Sequence, residues 1–254
     1  MLQAVLQVNH AYLLSYPEYQ LSDEQYARYS AMFERRLSGE PIAYILGDRE
    51  FFGLNFKVTP ATLIPRAETE LLVELALQRT PKQAIFRVLD MGTGTGVIAL
   101  SIAHERPNAE VVAVDVSEAA LDIARVNALQ LKLNKVSLLQ SDWFSALQGE
   151  RFDMIVTNPP YIATGDAHLT QGDLRFEPAT ALASGADGLE DIRRICAHAK
   201  SHLNAQGWLL LEHGYNQAES MRSLLRQSGF SGVFSAEDLA GIERVSGGQF
   251  LQIP

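Results

Sequence analysis

Apolar positions follow two different rhythms along this chain. In residues 2–14 and 22–37 they recur at helical spacing. The second stretch is well delimited. Ser22 and Gln25 are placed to form a capping box, Asp23 and Glu24 suit the positive end of a helix, Arg35 and Arg36 the negative end, and Gly39 can close it. Tyr26, Tyr29, Phe33 and Leu37 share one face and read as core, with any exposed part available to a protein partner. Residues 50–65 change character, with Phe51, Phe52, Leu54, Phe56 and Val58 set around Gly53 and Asn55 in the manner of a hairpin or irregular linker. Pro65 then precedes an apolar helix at 68–78, ended before Pro81.

From residue 85 the rhythm becomes strand then helix. Strands are predicted at 85–89, 110–114, 136–139, 152–156 and 208–211, with two more near Val233 and at 249–253. Helices are predicted at 97–104, at 117–129 with Leu121, Ala124 and Ala128 on one face, around Ile192, Ile195, Ala199 and Leu203, and at 217–227, stopped by Gly229. This alternation predicts an α/β fold with a doubly wound, Rossmann-like parallel sheet and ligands at the carboxyl ends of its strands. The organisation expected is a small helical N-terminal domain over residues 1–49, a hairpin-like linker over 50–66 and the α/β domain over 67–254.

Composition narrows the setting. At 254 residues the chain can bury a full core, and its one cysteine, Cys196, excludes a disulfide framework and reads as a packed helix residue. No cationic stretch followed by a long apolar run opens the chain, and no later run approaches the roughly 20 apolar residues of a membrane span. A soluble, cytoplasmic protein is expected. The net charge of −9 repels phosphate backbones, so no stable nucleic-acid binding is expected, and the lack of a spanning run predicts no membrane partner.

Gly92, Thr93, Gly94, Thr95 and Gly96 lie where the first strand of the α/β region turns into its helix, where glycines permit tight angles and close approach of a ligand to backbone N–H groups. Dinucleotide enzymes use a similar loop with an acid about 20 residues later, and Asp115 is such an acid, able to hold a ribose diol with either class of cofactor. Neighbouring residues favour S-adenosylmethionine over NAD. Asp90 would oppose a pyrophosphate but suits an ammonium and a sulfonium, and Asp142-Trp143 offers an acceptor and an aromatic surface for adenine. No metal site is expected.

Asn158-Pro159-Pro160-Tyr161, after the run 152–156, reads as a device for methylating a planar nitrogen. Such a nitrogen has a delocalised lone pair and attacks poorly. The Asn158 side-chain oxygen and the Pro159 carbonyl can accept its two N–H bonds, orient it and stabilise the positive charge that develops. The prolines stiffen the turn, Tyr161 can stack on the substrate plane, and no catalytic base is required.

This motif resembles one shared by amino-methyltransferases of adenine and cytosine, some guanine methyltransferases of ribosomal RNA, and protein glutamine methyltransferases. The wider pattern is similar to the HemK/PrmC release-factor glutamine methyltransferases in residues 39–47, 63–70, 89–96, 140–144, 158–161, 177–182 and 211–214. The resemblance implies a class I methyltransferase domain behind a helical N-terminal domain that recognises the protein substrate. It also implies adenosylmethionine as cofactor and, as acceptor, the glutamine of the Gly-Gly-Gln motif of peptide-chain release factors. By position, Gly92 to Gly96, Asp115, Trp143 and Asn158 would contact cofactor, and Asn158, Pro159, Pro160 and Tyr161 would grip the glutamine amide. Ala67 stands where the family has a proline, and the chain is short before residue 22. Alternatives within the class are a glutamine methyltransferase of a ribosomal protein and an amino-methyltransferase of nucleic acid. Outside it, a Rossmann oxidoreductase or a silent interaction module would leave the Asn158 motif without a role. Gly247-Gly248-Gln249 is read as a coincidental part of the closing strand, and His198 and His202 as a solvated helix face.

Overall fold

The computed structural model describes residues 1–83 and 85–251. The N-terminal stretch predicted as one helix is two: α1 (Leu2–Leu6) ends as Gln7 turns left-handed at φ 55°, and α2 (His10–Ser15) starts anew on the Asn9 side chain, which accepts from Tyr12 N at 2.9 Å. A free local cap thus outweighs the apolar spacing that runs across it. In α3 (Asp23–Leu37) both halves of the capping box form, Gln25 N donating to Ser22 Oγ and Ser22 N to Gln25 Oε1. The α3 stripe is a correction. Tyr26 is 64% exposed and Leu37 70%, and no α3 residue is buried, because α1 gives the helix too little to pack against.

After α4 (Ile42–Leu46), β1 (Asp48–Phe51) and β2 (Leu54–Lys57) form an antiparallel hairpin. Its two loop residues, Phe52 at φ 51° and Gly53 at φ 73°, have the left-handed pair that matches strand twist in tight hairpins. Phe51 and Phe56 point into the core. A 3-10 turn, Ala67–Thr69, leads into α5 (Glu70–Arg79).

The α/β region runs β3 (Phe86–Met91), α6 (Val97–Glu105), β4 (Ala109–Asp115), α7 (Glu118–Gln130), β5 (Ser137–Gln140), β6 (Phe152–Thr157), α8 (Glu190–His198), β7 (Leu203–Glu212), α9 (Ala218–Gln227), β8 (Ser231–Glu237) and β9 (Glu243–Gln249). Among the described residues the main sheet has seven strands in the order β5-β4-β3-β6-β7-β9-β8, with β7–β9 and β9–β8 antiparallel and the rest parallel. Both faces are covered, which explains the continuous apolar runs of the strands. Val88, Met154, Val156 and Leu210 pack toward α5 and α6, whereas Leu89, Ile155, Leu209 and Leu211 pack toward α8 and α9, where Cys196 is buried.

Two boundaries differ from expectation. Leu203 begins β7 instead of continuing α8, since a 3-10 turn, Ala199–His202, ends that helix. The last strand ends at Gln249, where the predicted tail strand begins, and residues 252 and 253 of that prediction lie outside the described residues. Gly247-Gly248-Gln249 is therefore inside β9. A side chain at Gly247 would come 2.5 Å from Leu210 Cδ2 and one at Gly248 2.8 Å from Phe230 Cβ, so close packing accounts for both glycines. Gln249 donates to Gln206 O at 2.9 Å.

Candidate active site

The chain leaves β3 toward β4 and β5, then returns to place β6 on the other side of β3. At such a switch of direction the loops after two adjacent strands part and leave a crevice. Met91 pairs with Thr157, so the glycine loop after β3 and the Asn158 turn after β6 start side by side. Gly92, Gly94 and Gly96 all have positive φ, at 69°, 55° and 85°. Gly92 packs against the Trp143 ring and the Asn158 carbonyl, which even an alanine there would meet at 3.6 and 4.0 Å.

Asp115 ends β4 and holds this loop: its Oδ2 accepts from Gly94 N at 2.8 Å and its Oδ1 from Ser117 N at 2.9 Å. Burial raises its pKa, against the backbone donors that lower it. Asp90 is placed differently from expectation. It lies wholly buried behind the loop and does not line the cleft, its Oδ2 taking the Thr93 hydroxyl at 2.6 Å and Ala99 N at 3.2 Å. Burial pushes this carboxyl up to about 7, and its Oδ1 has no partner among the described residues.

Trp143, at φ 49°, lines the cleft with its indole fixed by Nε1 donating to Asp191 Oδ1 at 3.0 Å. Asp191 is itself held by the Ser184 hydroxyl at 2.7 Å. Asp142 is paired with Arg194 at 3.0 Å on the exposed rim. His198 and His202 are engaged separately, the first by the Arg194 carbonyl at 2.8 Å and the second stacked on Phe144 at 4.5 Å.

Asn158 Nδ2 donates to Thr69 Oγ1 at 3.2 Å, and Oδ1 accepts no bond from the described residues. The carboxamide therefore presents an acceptor. Asn158 and Pro160 line the cleft with Thr93, Thr95 and Asp115, whereas Gly96, Pro159 and Tyr161 do not. Pro159 is buried. The Tyr161 ring is turned toward β7, its hydroxyl donating to Glu212 Oε1 at 3.4 Å, and burial raises its pKa further.

Several residues that matter here are assigned no role from the sequence. Arg66 lines the cleft and is paired with the buried Glu177, which also accepts from Ile64 N at 3.3 Å, so the segment before α5 is tied to the one whose Pro178, Thr180 and Ala181 form a wall of the cleft. Asn127, fully buried on α7, accepts from Lys57 N at 2.7 Å and donates to Thr95 O at 2.9 Å, linking the hairpin to the glycine loop. Its signal in the sequence is a polar residue next to Ala124 and Ala128 on the apolar side of the helix.

Two family models match the chain: the Methyltransferase small domain over residues 67–185 and the PrmC N-terminal domain over residues 1–47. The release factor glutamine methyltransferase of Xylella fastidiosa (strain 9a5c) is 50% identical over 244 residues, spanning 96% of this chain and 89% of that protein. That of Escherichia coli (strain K12) is 47% identical over 252 residues, spanning 99% and 91%. A methyltransferase of Pyrococcus furiosus has the same fold, with a TM-score of 0.58 at 23% identity over 88% of this chain and 100% of that one. With about half its residues shared over nearly its whole length, the chain belongs to the release factor glutamine methyltransferase family.

Proposed function

We propose that this chain transfers a methyl group from S-adenosylmethionine to the side-chain amide nitrogen of the glutamine in the Gly-Gly-Gln motif of peptide-chain release factors, in the cytoplasm where those factors work. Membership of the family supports the reaction. The observation that carries it to specific atoms is Asn158, whose NH2 is tied back to Thr69 so that its oxygen remains for a donor beside the glycine loop.

The cleft fits the cofactor. Positive-φ glycines bring backbone close to a ligand, Asp115 keeps acceptor capacity for a ribose, and Trp143 offers a held aromatic face. Bound adenosylmethionine would supply an electrophilic methyl group on a cationic sulfur. Asn158 Oδ1 and the Pro159 carbonyl then take the two N–H bonds of the substrate amide, which fixes its plane and favours the charge that builds on nitrogen. One of those protons leaves to solvent once nitrogen is methylated, since an alkylated amide is not basic. Pro160 keeps the turn rigid, and the protein needs no base.

Residues 1–49 serve in this reading as a substrate-recognition domain, joined by the hairpin segment 50–66 to the catalytic domain 67–254. The exposed Leu14, Tyr16, Tyr26 and Leu37 support it, because a dispersed charged surface would not need them. Incubation with labelled adenosylmethionine and an intact release factor, followed by peptide mapping, tests the proposal. Label on the Gly-Gly-Gln glutamine is expected, and label elsewhere or none would refute it.

A further inference from the structure

Glu212 ends β7 beside the Asn158 turn and is 2% exposed, yet the reaction as described gives it no task. Two distant stretches act on it. Tyr161 donates to its Oε1 at 3.4 Å, its Oε2 is a buried acceptor with no hydrogen-bond partner among the described residues, and the Thr69 hydroxyl favours the ionised carboxyl. Thr69 Oγ1 is also the atom that accepts from Asn158 Nδ2 at 3.2 Å.

A hydroxyl has a single proton to give. If Thr69 gives it to a carboxylate, its oxygen can only accept from Asn158, and the carboxamide must turn its NH2 toward Thr69 and its oxygen toward the cleft. The two ends of a carboxamide are nearly equal in shape, so packing alone selects between them poorly. The flipped amide would set its NH2 against the substrate NH2, donor against donor.

We propose that Glu212 is a positioning residue that, by taking the Thr69 hydroxyl proton, locks the Asn158 carboxamide with its oxygen toward the acceptor amide; this rests on the glutamine-methylation reading above. The groups facing Glu212 define how the lock responds to pH. Burial pushes its carboxyl up to about 7, with Glu68 acting in the same direction, while Thr69, Arg244 from β9 and the Tyr161 hydroxyl act against it. Once protonated, Glu212 becomes a donor, the Thr69 proton is freed toward Asn158 Oδ1, and the lock opens. Turnover is therefore lost as pH falls through the carboxyl's pKa.

The test uses the full chain with a release factor, in single-turnover methylation from pH 6 to 9, with adenosylhomocysteine affinity by calorimetry. In Glu212→Gln, Tyr161 holds the oxygen end and the new NH2 faces Thr69, so turnover should fall about tenfold or more while ligand affinity and KM stay within about twofold. The acidic limb of the wild-type profile should flatten in this variant. Thr69→Val should behave alike, the double variant should be no worse than either single one, and Thr69→Ser should recover turnover to within about threefold of wild type. A folded Glu212→Gln with wild-type turnover and pH profile would overturn the proposal. If that variant does not fold, equal turnover of Thr69→Val and Thr69→Ser would overturn it instead. A wild-type enzyme inactive on the release factor would contradict the glutamine reading itself, which separates the two failures.

Discussion

Removing the Asp115 carboxylate should weaken the cofactor chiefly through its ribose. Each of its oxygens already accepts one backbone bond, from Gly94 N at 2.8 Å and Ser117 N at 2.9 Å, and each keeps a lone pair for one ribose hydroxyl. The raised pKa means that folding has already desolvated this group, so the ligand pays little more to meet it. At roughly 1.5–3 kcal/mol per bond to a charged group, two such bonds amount to about 3–6 kcal/mol, or on the order of 10²–10⁴ in affinity. Water entering the truncated site recovers part of this, which places the expected loss for Asp115→Ala near 10²-fold. The substitution also orphans two N–H groups that shape the loop, so affinity alone does not isolate the ribose. Calorimetry with adenosylhomocysteine and its 2′-deoxy and 3′-deoxy analogues does. Wild type should discriminate against each deoxy ligand by about tenfold, and Asp115→Ala against neither. A folded Asp115→Ala that still prefers the full ribose by the wild-type factor would refute the assignment.

Three further outcomes follow from other parts of the site. Asp90, raised from 3.8 to about 7, binds a proton in the folded state that the unfolded chain has released. Stability of the ligand-free protein should consequently fall as pH rises from about 4 to 7 and level off above; in thermal melts Asp90→Asn should remove part of this slope, with Glu212, Asp115 and Glu177, whose carboxyls burial also raises, supplying the remainder, and should weaken adenosylhomocysteine. Gly188, at φ 74°, would place a Cβ 2.2 Å from the Tyr161 carbonyl oxygen, so Gly188→Ala should displace the Asn158 turn at a strain cost of roughly 1–3 kcal/mol, lowering Tm and turnover more than ligand affinity. Replacing Tyr26, Phe33 and Leu37 together by serine should raise KM for the release factor about tenfold and leave adenosylhomocysteine affinity unchanged, as expected for a recognition surface.

The central strands were legible because they are apolar runs, and several helices because they have their own start or stop. Ser22 with Gln25, Ser117 and Gly229 do locally what their residue types suggest, with the Ser117 side chain accepting from Ala120 N and Gly229 at φ 79°. Burial of the α3 stripe was not legible, because helical spacing reports which residues share a face and says nothing of whether another element covers it. The split at Gln7 was missed because the apolar spacing continues across it. In the site, Gly92, Gly94, Asp115, Trp143 and Asn158 were readable from types placed at strand ends, where the fold gathers ligands. Thr69, Glu177 and Glu212 fall in stretches that carry the resemblance, but their roles were not readable, since each acts through contacts that only tertiary structure creates: Thr69 reaches Asn158 across 89 positions and Glu177 reaches Arg66 across 111. Asp90 and Tyr161 show the complementary limit. Their motifs place them at the site, but direction is a matter of packing, and both side chains turn inward, away from the cleft.

Single-turnover methylation of a release factor by Asn158→Ala tests the central claim most directly, because it reads the one carboxamide proposed to hold the reacting nitrogen. Loss of a preorganised hydrogen bond at a reacting centre should lower the rate about 10²- to 10³-fold. Adenosylhomocysteine affinity, measured on the same folded protein, should fall much less. Near-normal methylation of the Gly-Gly-Gln glutamine by this variant would make the Asn158 turn a structural element and contradict the account.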